Sequence, residues 1–166
     1  MGALKQALTA LHTFERRTVR RQGLAADLGS GVTPLNLFRI SGTVQVGLMF
    51  GHVTLGMDAT ANTLRHVFTP TVAGAALFLN AASATIATDA INTLYVWTGA
   101  TAGQLVPSTN IGIVGTELIP WVGNTLILTA GVITLVIGAG AAAVPGVIDW
   151  YILFTPMTGQ SDIIAI

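Results

Sequence analysis

Histidines His12, His52 and His66 and aspartates Asp58, Asp89, Asp149 and Asp162 are the first side chains to weigh for metal or acid–base chemistry. His52 and His66 could lie on neighbouring strands with Asp58 between them. A zinc-type site needs a third or fourth ligand and groups that orient the imidazoles, and the sequence names none. Ordinary strand or turn histidines are the plainer account. Asp58 and Asp89 stand in the phrases MDATANT and TDAINT, where an aspartate accepts local backbone hydrogen bonds, so turn-making outweighs an acid–base pair. Asp149 is expected on an outer or interface face of its strand, paired with Arg39 or Arg65. The stretch GAGAAAVPG lacks both the Lys-Ser/Thr of a P-loop and the spacing of a dinucleotide fingerprint. With no cysteine in the chain, disulfides and thiolate metal sites are excluded. No catalytic, cofactor-binding or metal-ligating residue is assigned, and a non-enzymatic protein is expected.

Trp97, Trp121 and Trp150 could stack on bases or sugars, but no basic residue lies near any of them in sequence. Nucleic acid is therefore not an expected partner, and the three indoles read as core or interface anchors. The one charge cluster is Arg16, Arg17, Arg20 and Arg21. With Lys5, and against Glu15 and Asp27, it gives residues 1–29 a net charge of +3, while residues 30–166 carry −3. Ahead of the cluster Leu4, Leu8, Leu11 and Phe14 recur at helical spacing, which predicts a short amphipathic helix from residue 3 to about residue 22. A helix of that length does not hold by itself in water, so its stripe needs a partner. Residues 1–29 are thus expected to form a docking arm whose arginines meet carboxylates on a larger acidic surface, and with the linker Gly29, Ser30, Gly31 and Pro34 they make up an N-terminal unit of residues 1–34.

The rest of the chain, residues 35–166, has a period of two. In GVIDWYILFTP, residues 146–156, Ile148, Trp150, Ile152 and Phe154 alternate with Val147, Asp149, Tyr151, Leu153 and Thr155. That is a strand bracketed by Pro145 and Pro156. It is apolar on both parities and so needs cover on both faces, which places Tyr151 and Leu153 at an oligomer interface. In GTVQVGLMF the residues Val44, Val46, Leu48 and Phe50 share one parity, and Val53 and Leu55 the other, as a bulge or turn at Gly51 would require. Further strands are expected at residues 63–69, 75–80, 93–98, 110–114, 125–129 and 132–137, and near Leu37. Asn-Thr-Leu recurs at Asn62, Asn92 and Asn124, each time leading into an alternating run. The expected fold is all-β: a single β-sandwich or jelly-roll-like domain of eight to ten strands preceded by the short helix.

Residues 126–144 would pass a hydropathy threshold for a spanning helix. Gly131, Gly138 and Gly140 punctuate the run, and its alternation favours a buried hairpin turning at Ala130-Gly131. Lys5 and Gln6 interrupt the only apolar run that could begin a secretory signal, and Gln6 stands where a myristoylation signal wants Ser or Thr. Charged residues are only 8% of the chain and hydrophobic ones 52%, too few charges to solvate a free monomer well. The small polar residues that fill the remaining positions suit dry subunit contacts better than lipid.

The phrases FRISGTVQVGLMFGHVT, NTLYVWTGATAGQLVP and GVIDWYILFTPMTGQSDIIAI resemble small virion structural proteins of tailed bacteriophages, in particular those that decorate or cement the capsid shell. The resemblance covers residues 35–166 and carries no catalytic motif. It implies a β-sandwich subunit without enzymatic activity, forming homo-oligomers, commonly trimers, on the capsid surface. The partners would be copies of itself and the major capsid protein or another virion protein. A tail or fibre-base component of the same virion is the alternative, and a membrane-associated protein spanning near residues 126–144 a weaker one.

Overall fold

The period of two in the sequence becomes strand after strand in the computed structural model, which describes residues 16–28, 34–72, 74–97, 106–108, 126–138 and 146–166. The strands are β1 (Arg17–Arg21), β2 (Leu35–Ser41), β3 (Val44–Leu55), β4 (Thr63–Pro70), β5 (Leu77–Phe78), β6 (Leu94–Trp97), β7 (Val106–Ser108), β8 (Leu126–Leu128), β9 (Gly131–Gly138), β10 (Val147–Pro156) and β11 (Asp162–Ala165). They form two antiparallel sheets packed as a β-sandwich. The first runs β1-β10-β3-β6-β7, with β8 also on β3, and the second runs β11-β2-β9-β4-β5. The pairs nest: β1 lies on β10, β2 on β9, β3 on β6 and β4 on β5.

The core is the layer between the sheets. Val46, Met49, Val53, Trp97, Trp150, Ile152 and Phe154 of the first sheet and Phe38, Ile40, Leu64, Ile133, Leu135 and Ile163 of the second are almost fully buried. Each such side chain contributes about 1.5–3 kcal/mol on leaving water, an upper estimate because denatured chains already bury some surface. Gly51 faces Trp150 across the β3–β10 ladder. A Cβ there would lie 2.8 Å from Ile148 Cγ2 and from the indole, so glycine makes the room that the ring fills.

Four expectations are corrected. First, no helix occurs among the described residues, and the segment expected to be the basic half of a helix is strand β1. Tertiary context outweighs helix propensity here: β10 has an edge to fill, Thr18 and Val19 suit a strand, and Val19 packs against the core. Leu4, Leu8, Leu11 and Phe14 lie outside the described residues. Second, the phase slip in β3 occurs at Gly47. Leu48 pairs with Leu153 and Val46 with Phe154, so Gly47 is the extra residue of a bulge and the strand runs straight through Gly51. Third, β8 and β9 do turn at Ala130-Gly131, but β8 joins β3 and β9 joins β2 and β4, so the chain changes sheet there and makes no hairpin. Fourth, β7 and β11 were not expected as strands; the expected strand at residues 110–114 lies outside the described residues.

The open side of β4 beyond β5 is closed by side chains. Leu64 N–H donates to Ser83 Oγ at 2.8 Å and His66 N–H to Asn80 Oδ1 at 2.9 Å, while Ser83 N–H returns to Leu64 O at 2.9 Å. These bonds occupy ladder groups that a free edge would offer to another chain.

At the sheet-changing corner a Cβ on Gly131 would meet the Phe68 ring at 2.4 Å and Thr69 O at 2.5 Å, whereas one on Gly159 would meet nothing within 4 Å. Gly131→Ala should therefore destabilise the fold by about 1–3 kcal/mol, and Gly159→Ala by no more than about 0.5 kcal/mol. Denaturant unfolding of the two variants checks this, and equal midpoints would contradict the corner geometry.

Candidate interaction surface

Successive residues of β1 point to opposite faces, so its arginines are distributed between faces. Arg20, on the outer face, donates to Asp149 Oδ2 from Nε at 3.2 Å and from Nη2 at 2.6 Å, and the backbone N–H of Gly23 donates to Asp149 Oδ1 at 2.7 Å. Asp149 is thus buried although it points away from the core, and its partner is Arg20 where Arg39 or Arg65 was expected. Its hydrogen bond and charge raise the pKa of Arg20 above the ordinary guanidinium value.

Arg21 turns inward and grips Asp27 with both terminal nitrogens. It also donates to the carbonyl oxygens of Gln22 at 3.1 Å and Ile166 at 3.5 Å. Leu24 N–H adds a third bond to Asp27, at 2.7 Å. Two carboxylates therefore hold the segment Gln22–Leu24, each paired with one arginine, and Leu28, at the end of the turn that follows, is buried in the core. Arg17 reaches Asp162 on β11 at 3.5 Å, an exposed pair linking the edges of the two sheets. Arg17, Arg20 and Arg21 are engaged within the fold, which corrects the expectation of a basic arm separate from the β domain; Arg16 is the first described residue.

The outer face of the first sheet brings together the two residues assigned to an oligomer interface. Tyr151 and Leu153 are half-buried on β10. Tyr151 stacks on Phe50 of β3 with ring centroids 4.7 Å apart and planes 8° apart, and the Arg20 guanidinium carbon stands 6.0 Å from the Tyr151 ring. Leu153 is opposite Leu48 of β3 and Thr18 of β1. Leu48, Phe50, Tyr151 and Leu153 thus form an apolar patch across two adjacent strands. Sequence reasoning missed Leu48 and Phe50 because it carried the parity of Val44 and Val46 through the bulge. Three further large apolar side chains, Leu24, Leu55 and Ile91, are exposed at 59%, 50% and 53%. Leu55 ends β3, while Leu24 and Ile91 belong to connections, and no local pattern groups them.

The residues first considered for chemistry are separated. His52 is on the outer face with Nε2 3.1 Å from Asn92 Oδ1, while His66 is buried between the sheets. Asp58 accepts from Thr60 N–H at 2.8 Å, a local turn, and Asp89 accepts from the Tyr95 hydroxyl. Among the described residues no group of three or more His, Cys, Asp or Glu could hold a metal. Trp97 and Trp150 are core residues, with Trp97 Nε1 donating to Leu79 O at 2.8 Å; Trp121 lies outside the described residues.

No family model, curated protein or solved structure matches this chain.

The two kinds of arginine predict different losses. Arg21→Ala leaves Asp27 buried without its cation and should cost about 3–5 kcal/mol. Arg17→Ala removes an exposed pair and should cost less than about 1 kcal/mol. Denaturant unfolding decides between them, and a mild Arg21→Ala would mean that β1 is dispensable to the fold.

Proposed function

We propose that this chain is a non-enzymatic structural subunit of a tailed-phage virion that decorates or cements the capsid shell as a homo-oligomer. The observation that carries the reading is the nested pairing β1·β10, β2·β9, β3·β6 and β4·β5. This is the order of one long hairpin rolled into two Greek keys, so we read the sandwich as a jelly roll, an architecture that recurs in viral capsid domains. Fold alone does not assign function. The virion reading also rests on the resemblance of residues 35–166 to phage decoration proteins, and on a surface short of charge that carries the Leu48, Phe50, Tyr151, Leu153 patch.

In this reading the patch is the contact between copies, and a trimer is the expected assembly. A larger surface, that of the shell, would be engaged through residues 1–15 with their stripe of Leu4, Leu8, Leu11 and Phe14, while residues 16–28 belong to the sandwich. The spanning-helix alternative loses its element, because residues 126–128 and 131–138 are strands of two different sheets. No helix among the described residues is long and apolar enough to cross a membrane.

Protein quantification of purified particles tests the assignment. A copy number comparable with that of the shell subunit is expected, a handful of copies would point to the tail or fibre base, and absence from particles would overturn both. Light scattering tests the interface. The unmodified chain should be oligomeric and Leu153→Asp should shift it to monomers or aggregates, since an unpaired charge buried at an interface costs several kcal/mol. A stable monomer of the unmodified protein would remove Tyr151 and Leu153 from that role.

A further inference from the structure

His66 is a titratable side chain that the virion reading leaves without a part. It lies on β4 between Leu64 and Phe68, points into the core, and is 0% exposed. Asn80 Oδ1 accepts the backbone N–H of His66 at 2.9 Å and stands 3.1 Å from ring Nδ1. The Asn80 amide is oriented by its own Nδ2, which donates to Ala81 O at 2.6 Å, so an oxygen faces the ring and Nδ1 must carry the hydrogen. Nε2 is then a bare acceptor, and it has no hydrogen-bond partner. The imidazole meets the Trp150 indole of the opposite sheet edge-on, with centroids 4.6 Å apart and planes at 84°.

A second proton would therefore arrive at Nε2, in the layer that joins the two sheets. The ionisable groups on the surrounding elements are already committed. Arg21 of β1, beside Trp150 in the ladder, holds Asp27; Tyr95 of β6 holds Asp89; Asp149 of β10 faces outward to Arg20. On β4 itself Arg65 lies on the outer face, with its guanidinium carbon 4.0 Å from the Phe78 ring centroid. None of these carboxylates is left to compensate an imidazolium.

We propose that His66 is an acid-sensitive pin between the sheets, holding β4 against Trp150 while neutral and releasing the sandwich when Nε2 is protonated. Burial lowers its pKa from 6.5 to about 4, against a smaller upward effect of the Asn80 hydrogen bond. In the unfolded chain the ring titrates at its ordinary value. Between about pH 6.5 and about pH 4 the unfolded state therefore binds the extra proton and the folded state does not. Stability from this residue is complete above that window, is lost as the pH falls through it, and changes no further below it. The unfolding equilibrium constant should rise by on the order of a few hundredfold across the window.

The experiment uses the full chain. Denaturant unfolding is measured from about pH 7 to about pH 4 for the unmodified protein and for His66→Phe. The phenylalanine keeps a ring against Trp150, leaves the residue 66 N–H on Asn80, and cannot titrate. In parallel the imidazole resonances of the unmodified folded protein are followed by NMR, with His12→Gln and His52→Gln to assign the other two histidines. Expected are a steep acid-side loss that His66→Phe lacks, and a His66 ring that stays neutral until about pH 4. An equal loss in both proteins, or a His66 ring that titrates near its ordinary value in the folded state, overturns the proposal. If His66→Phe fails to fold, the NMR titration decides alone.

Discussion

Everything in this sandwich leans on β10 being enclosed. One of its edges is bonded to β3 along nearly its full length and the other to β1, while Trp150, Ile152 and Phe154 fill the space between the sheets. The remaining outward positions each need a partner, because Asp149 is a buried charge and Tyr151 and Leu153 are large and apolar. The fold answers each locally: Arg20 and the Gly23 N–H for Asp149, Phe50 for Tyr151, Leu48 for Leu153. Burying a carboxylate is costly unless it is charge-paired and hydrogen-bonded, so Asp149 makes the presence of β1 a condition of a satisfied β10.

That condition explains what could and could not be read from the chain. Strands β4, β6, β9 and β10 were legible because their alternation is local; β6, β9 and β10 each have one uniformly apolar face, and in β4 only His66 interrupts it between Leu64 and Phe68. The strand RTVRR was not, since five residues carry little periodicity of their own and the leucines ahead of it extended a helical pattern into it. What makes it a strand is the vacant edge of β10, more than a hundred residues away. The bulge in β3 was detected as a slip in phase but misplaced, because either Gly47 or Gly51 would serve in sequence. Only the pairing of Leu48 with Leu153 and of Val46 with Phe154 distinguishes them.

The arginines teach the same lesson for the site. Four basic residues in six positions look like a surface feature, yet alternation in a strand sends neighbours to opposite faces, and Arg20 and Arg21 each meet a different aspartate. Asp27 could have been paired with Arg21 by its short separation in sequence; the Arg20–Asp149 contact spans 129 residues and no local rule reaches it. The apolar patch was legible in half: Tyr151 and Leu153 from the double-sided pattern of β10, but not the β3 residues beside them.

The nesting of the pairs also sets the order in which the molecule can be completed. Its innermost pair, β4 with β5, joins residues about ten apart, while the outermost, β1 with β10, joins residues separated by well over a hundred. Closing long loops before any contact offsets their entropy makes such topologies slow to fold and exposed to aggregation on the way. On a growing chain β1 emerges early and has nothing to pair with until β10 has been made. Its basic residues can keep it solvated during that interval, and two of them, Arg17 and Arg20, find their carboxylates only when β10 and β11 have been made.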